Sequence, residues 1–304
     1  MPGSDDPEVL RAVLDSVPMG VYLVDRQGKI LLWNASAERI TGHLRQDILG
    51  RSAQEKFLGY SDGQDQEVLG DAAPLSMALR EGKPSGALVS LRHKQGHRVS
   101  VRLFAAPIRD AHGSVIGAAE SFQETANAAT WVERQSKLSE YGCIDEASSV
   151  LNHQTLQLRL RETLVMFAEK PVPFSLLCIS IDHFEKLKQR HGPGVVAPIL
   201  GVVGLTLENS LRPTDFLGRW KDNEFLAILT ECGAEGLTAS AERLRRMLSE
   251  AEVIWWGDPL RITGSLGGTT PRAGDDVDAV VARVESALQE SVKGGGNRVT
   301  VCKT

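Results

Sequence analysis

The sequence is poor in cysteine: Cys143, Cys178, Cys232 and Cys302 are scattered through 304 residues with no C-x-x-C pair among them. Such spacing writes neither a zinc site nor a disulfide framework, and it fits a chain kept in a reducing cytoplasm. No run approaches the ~18 consecutive apolar residues of a membrane span. Asp5, Asp6 and Glu8 stand where a secretory leader would carry basic residues. Basic side chains are not in excess either, since 34 Lys and Arg face 39 Asp and Glu for a formal net charge of −5. Binding to nucleic acid or to a membrane surface through bulk charge is therefore excluded. What remains is a cytoplasmic globular chain, 42% apolar and 24% charged, whose length predicts two domains of ordinary size.

The first segment, from about Val13 to Phe122, reads as short strands and short helices in mixed order. Gly20 to Asp25 and Lys29 to Asn34 form a hairpin across the turn at Arg26-Gln27-Gly28. Three brief helices follow, Ser36 to Thr41, Arg45 to Leu49 and Pro74 to Arg80, each closed by a glycine at 42, 50 or 82. Strands Ser85 to His93, Arg98 to Arg109 and Ser114 to Phe122 finish the segment. Ile30-Leu31-Leu32-Trp33-Asn34-Ala35, Thr41-Gly42-His43 with Leu49-Gly50, and the closing hairpins through Pro107-Ile108-Arg109-Asp110 and Gly113-Ser114-Val115-Ile116-Gly117 resemble a PAS sensor domain. The resemblance implies a five-stranded antiparallel sheet over residues 1–122. It names no ligand: the helix Leu75 to Arg80, where haem-binding members place their His, has none, and the photoreceptor Cys motif is absent. Trp33-Asn34 is only faintly like flavin-binding members. His93 and His97 flank the turn at Gly96 and are expected at the surface.

Residues 123–142 lose their glycines to polar helix formers, with Trp131 and Leu138 seven apart, and read as a connecting helix that could pair two copies. The remainder, residues 143–304, alternates helices with strands: a helix bearing Leu156, Leu160 and Leu164, the buried strand Phe174 to Ile181, a helix from Val195 to Leu211, and a hairpin of Asp215 to Trp220 with Phe225 to Leu229. A charged helix Ala239 to Leu248, strands Val253 to Trp256 and Arg261 to Gly267, helix Val277 to Val292 and strand Arg298 to Cys302 close it. Alternation of this kind predicts an α/β arrangement with a central sheet covered by helices. Trp255-Trp256 is expected on a strand, one ring in the core.

Asp182-His183-Phe184, Arg219-Trp220-Lys221-Asp222-Asn223-Glu224-Phe225, Thr263-Gly264-Ser265-Leu266-Gly267 and Asn297-Arg298-Val299 resemble, in order and spacing, the GGDEF family of diguanylate cyclases. Active members condense two GTP into cyclic di-GMP, one GTP on each subunit of an antiparallel pair. Phosphoryl transfer of this kind rests on Mg²⁺ and cations around the triphosphate. At the positions the resemblance assigns to that work, this chain departs from the pattern. Ser180 and Asn223 stand where metal-binding carboxylates are implied, and Lys221 and Asp222 replace the two glycines that let the hairpin approach phosphate. Glu185 reverses a lysine, Val292 and Gly296 replace phosphate clamps, and Lys188 and Ala197 replace guanine readers. No metal is therefore expected, and Asp182, Phe184, Glu224 and Phe225 read as residues of the fold.

The resemblance also implies an inhibitory site for the cyclic product, formed by an R-x-x-D ahead of the hairpin and an Arg on the next helix. Arg212-Pro213-Thr214-Asp215 and Arg243 match it. Guanidinium groups suit phosphates and the guanine Hoogsteen edge, and a carboxylate accepts guanine N–H groups. The plainer alternative is that Asp215 closes a turn while Arg243 belongs to the solvated face of Glu242, Arg243, Arg245 and Arg246. The chain as a whole thus reads as a PAS module joined to a degenerate GGDEF module: a cytoplasmic, dimeric, non-catalytic receptor for cyclic di-GMP whose output is contact with an effector protein. A scaffold without nucleotide binding and a PAS-regulated cyclase with an unusual site are the alternatives.

Overall fold

The computed structural model describes residues 7–53, 55, 57–61, 73–125, 138–170 and 172–302. The chain divides into two compact units, the first running to Thr125 apart from Gly96–Arg98 and the second from Ala126 on. The expected connecting helix falls mostly on residues 126–137, outside the described residues.

The first unit opens with α1 (Pro7–Ser16), which the sequence pattern did not predict, and the hairpin of β1 (Gly20–Asp25) and β2 (Ile30–Trp33). Asp25 Oδ1 accepts from the main-chain N–H of Gln27 and Lys29, both at 2.9 Å, and so closes the turn between the strands. Helices α2 (Ala35–Thr41), α3 (Arg45–Ile48) and α4 (Pro74–Glu81) precede β3 (Ser85–Arg92), β4 (Arg98–Arg109) and β5 (Val115–Glu124). The antiparallel sheet has the order β2-β1-β5-β4-β3. Period-two alternation turns Tyr22, Val24, Trp33, Leu103 and Phe122 to one face, where they form the core.

Asn34 organises the start of this unit. Buried completely, it accepts from Val21 N at 2.9 Å and Ala37 N at 2.8 Å, and donates to the carbonyls of Leu14 at 2.8 Å and Met19 at 3.0 Å. One side chain caps α2 and ties it to α1 and β1, a structural use that leaves its amide with nothing to offer a flavin. His93 is not the surface residue its turn position predicted: it is half-buried beside Gly42, where a Cβ would lie 2.5 Å from its ring. His97 is buried as well.

The second unit is a three-layer α/β/α sandwich. Its elements are α5 (His153–Glu169), β6 (Phe174–Ile181), α6 (Phe184–His191), α7 (Val196–Glu208), β7 (Phe216–Lys221), β8 (Glu224–Thr230), α8 (Ala234–Ser249), β9 (Glu252–Trp255), β10 (Asp258–Arg261), β11 (Gly264–Thr269), α9 (Val277–Lys293) and β12 (Val299–Val301). The main sheet runs β12-β11-β6-β8-β7, with only the β11–β12 pair parallel. Every residue of β6 is buried. Leu177 and Ile179 face the helices α7 and α8, whereas Leu176 and Cys178 face α5 and α9. On the latter side α9 lies so close to β11 that a Cβ on Gly267 would sit 2.1 Å from Leu288 N, so only glycine fits there.

Three expectations change in detail. α8 begins at Ala234 rather than 239, and α6 is a separate helix between β6 and α7. The stretch expected as one strand over Arg261 to Gly267 breaks at Ile262-Thr263, because Asp258–Arg261 pairs with β9 in a separate two-stranded ribbon. Trp255 packs on the core and Trp256 is 89% exposed in the two-residue turn of that ribbon, at φ 52°.

Candidate functional site

The β7–β8 hairpin brings the first group of candidate residues to one end of the main sheet. Ser180, the last but one residue of β6, pairs with Glu224, and the Asn223 side-chain amide donates to Ser180 Oγ at 2.9 Å and to Ile181 O at 3.3 Å. The two positions implied as metal ligands are thus neutral groups hydrogen-bonded to each other, with an N–H₂ donor aimed where a cation would need an anion. Mg²⁺ demands hard oxygen ligands, commonly carboxylates, and this donor set does not fit it. Glu224, the acidic neighbour, is directed instead to Lys221 at 3.6 Å. Burial raises the Glu224 carboxyl pKa. Lys221 also meets Glu285 of α9 at 2.6 Å, and although burial acts to lower its pKa, Glu285 and Glu224 hold it above the usual value. The tip is therefore occupied by an ion-paired lysine where phosphate approach would need bare backbone.

Asp182 has a structural assignment of its own. Its carboxylate accepts from Thr263 Oγ1 at 2.7 Å, Ser265 Oγ at 2.6 Å and Asn297 N at 2.8 Å, fastening the end of β6 to the entry of β11 and the turn before β12. Phe184 and Phe225 belong to the core. Glu185 and Lys188 are exposed on α6, Ala197 on α7, Asp222 on the hairpin tip and Val292 at the end of α9, and Gly296 follows it at φ 80°. Among the described residues no group of three or more His, Cys, Asp or Glu is arranged to hold a metal ion.

The second group lies together in a cleft of about 390 Å³ lined by Arg212, Asp215, Thr230, Glu231, Ser240 and Arg243 and by the first turn of α8. That volume is within the range of about 300–1,000 Å³ usual for small-molecule sites. Arg212 is exposed, and its side chain makes no hydrogen bond or ion pair with the described residues. Arg243 is fixed by a 2.6 Å bond from Nη1 to Ser210 O. Burial of its guanidinium lowers its pKa, with Asp215 opposing that effect and Arg212 adding to it. Gly233, the cap residue ahead of α8, offers no side-chain cap, and it lines the cleft with Ala234, Glu235 and Gly236 of the first turn, whose uncapped N–H groups favour anions. The three residues chosen from spacing are brought together. Glu231, Glu235 and the helix start were not singled out from the sequence, because their proximity comes from the β8–α8 turn and not from any motif.

A third feature is buried in the first unit. Glu120 of β5, 1% exposed, accepts from Tyr22 Oη at 2.5 Å and Tyr60 Oη at 3.2 Å. Burial raises its pKa to about 7, and the two tyrosine hydrogen bonds pull the other way. Glu120 was not singled out from the sequence, although period two along β5 puts it on the same inner face as Ala118 and Phe122.

Comparisons with known proteins agree with this architecture. The family described as diguanylate cyclase, GGDEF domain, matches residues 143–298, and the PAS fold matches residues 8–124. Diguanylate cyclase A of Treponema denticola is 29% identical over 150 residues, covering 49% of this chain and 40% of that protein. Probable diguanylate cyclase DgcE of Escherichia coli is 23% identical over 301 residues, 97% of this chain but 26% of the relative. The chain therefore spans less than half the length of these curated relatives. Among solved structures, the GGDEF domain of DgcB from Caulobacter crescentus in complex with c-di-GMP superposes with a TM-score of 0.52 at 23% identity, covering 54% of this chain and 94% of that one. Diguanylate cyclase SiaD of Pseudomonas aeruginosa, in complex with its activator SiaC, gives 0.53 at 23% identity over 58% of this chain and 68% of that one. No helix among the described residues is long and apolar enough to cross a membrane.

Proposed function

The chain belongs to the GGDEF family of diguanylate cyclase domains and carries a PAS domain ahead of it, and from that premise we propose that it is a non-catalytic receptor for cyclic di-GMP. The observation that carries the proposal is the neutral Ser180–Asn223 hydrogen bond beside the ion-paired Lys221, at the place where a cyclase needs a charged metal site and open backbone. Arg212 and Arg243 supply two permanent cationic groups to a cleft with an uncapped helix start, a setting suited to the phosphates of a cyclic dinucleotide. The dianion would bind there as a finished molecule, without chemistry. In this reading residues 1–122 sense, 123–142 connect and pair two copies, and 143–304 bind the nucleotide and present a surface to an effector protein.

A second reading, a PAS-regulated cyclase, is favoured by the names of the relatives, which are diguanylate cyclases. Incubating the full chain with GTP and Mg²⁺ or Mn²⁺ and chromatographing the nucleotides separates the two. No product above a blank is expected; cyclic di-GMP in the reaction would establish the cyclase. In the same preparation, Arg212→Ala is expected to weaken cyclic di-GMP binding at least tenfold.

A further inference from the structure

Resting on the cyclic di-GMP reading, we infer that Glu231, and not Asp215, is the carboxylate that reads guanine in this cleft. Guanine offers N1–H and N2–H side by side, and a carboxylate recognises that edge best with both oxygens free. Asp215 does not meet the condition. It is 7% exposed; its Oδ2 accepts from Arg212 N at 3.0 Å, and its Oδ1 accepts from Thr230 N at 3.0 Å and Thr230 Oγ1 at 3.3 Å. Its own N–H bonds back to Arg212 O at 3.0 Å. Asp215 therefore closes the Arg212–Asp215 turn and clamps that turn to the last residue of β8.

The clamp has a geometric consequence. Thr230 is followed directly by Glu231, so the hydrogen bonds that engage Asp215 also set where the next side chain starts. Glu231 lines the same cleft, is exposed, and makes no hydrogen bond or ion pair with the described residues. Its backbone sits at φ 50°, in the left-handed region where glycine is more comfortable than any residue with a Cβ. Glu235 also lines the cleft, but it lies in the first turn of α8, where a negative charge already favours the helix. Glu231 has no such structural employment. With Arg212 and Arg243 directed to phosphate, it is the free acceptor left to distinguish guanine, which donates from N1, from adenine, which does not.

Calorimetric titration of the full chain with cyclic di-GMP and with cyclic di-AMP tests this. Wild type is expected to prefer cyclic di-GMP, Glu231→Gln to lose at least tenfold of that preference with little change toward cyclic di-AMP, and Glu235→Gln to keep it. Glu231→Gly provides the control for folding: it relieves the left-handed backbone, so its melting temperature should not fall while its selectivity does. A binding-competent wild type whose preference survives both Glu231 substitutions, or is lost at Glu235 instead, overturns the assignment alone. A wild type that binds neither dinucleotide overturns the receptor reading and this one with it.

Discussion

A buried glutamate and a half-buried histidine in the PAS domain make its stability depend on pH in opposite directions. Glu120 titrates at about 7 when folded, against 4.5 for an ordinary glutamate, chiefly because burial disfavours its charge. Between those values the folded chain keeps a proton that the unfolded chain has released. The stabilisation is complete below pH 4.5 and is lost as pH rises through 7, and the separation corresponds to about 3 kcal/mol at about 1.4 kcal/mol per tenfold. His93 does the reverse: burial first, and His43 second, hold its pKa down to about 4 from 6.5. Its contribution is present above pH 6.5 and is lost as pH falls through 4. Because His93 is only half-buried, solvent screening reduces that contribution to about 1–2 kcal/mol. From pH 4.5 to 6.5 the two slopes oppose each other, leaving a shallow net fall in wild type. Glu120→Gln removes one side, so stability should then rise with pH across that window by about 1–2 kcal/mol; His93→Gln removes the other and should steepen the fall toward about 3 kcal/mol. Hydrogen exchange of peptides covering β1 and β5 in the full chain, corrected for the intrinsic pH dependence of exchange, reads these changes directly. A Glu120→Gln protein with the wild-type pH profile would refute the reasoning.

Other outcomes follow from single residues. Asp182→Ala strips three donors of their acceptor and should cost about 2–4 kcal/mol in urea unfolding, while leaving cyclic di-GMP binding at the separate cleft unchanged. Trp256→Asn, in the two-residue turn with Gly257 at φ 92°, replaces a residue strained at positive φ by one suited to such a turn, and should raise stability by about 1 kcal/mol. Tyr22→Phe deletes a hydrogen bond that favours the Glu120 carboxylate, so the pH window of the Glu120 contribution should move upward in the same exchange experiment.

Periodicity and turn chemistry make most of the fold legible from the residues alone. Alternation locates β1, β4 and β5, glycines mark the ends of α2 and α4, and the mainly apolar run of β6, interrupted by Ser175 and Ser180, announces a strand buried on both faces. Structure and pattern part where neighbours in sequence do not decide the outcome. Arg261 to Gly267 reads as one strand, yet it splits because Arg261 belongs to a ribbon and the residues from Gly264 on belong to the main sheet. The turn around His93 predicts a surface position, but Gly42, fifty-one positions earlier, makes room for the ring. At the candidate sites, spacing brings Arg212, Asp215 and Arg243 to notice, and only the folded chain reveals that Asp215 is engaged by Arg212 and Thr230. The mutual hydrogen bond of Ser180 and Asn223 is equally invisible in the sequence, since the residues are forty-three positions apart and meet through strand pairing.

The central claim is that this domain binds the product of its relatives' reaction and not the substrate. Titrating one preparation of the full chain in parallel with cyclic di-GMP and with GTP and Mg²⁺ tests it most directly. Saturable heat with cyclic di-GMP, weakened at least tenfold by Arg212→Ala, and none with GTP and Mg²⁺ is the expected result; saturable GTP binding that depends on Mg²⁺ and survives Arg212→Ala would contradict it.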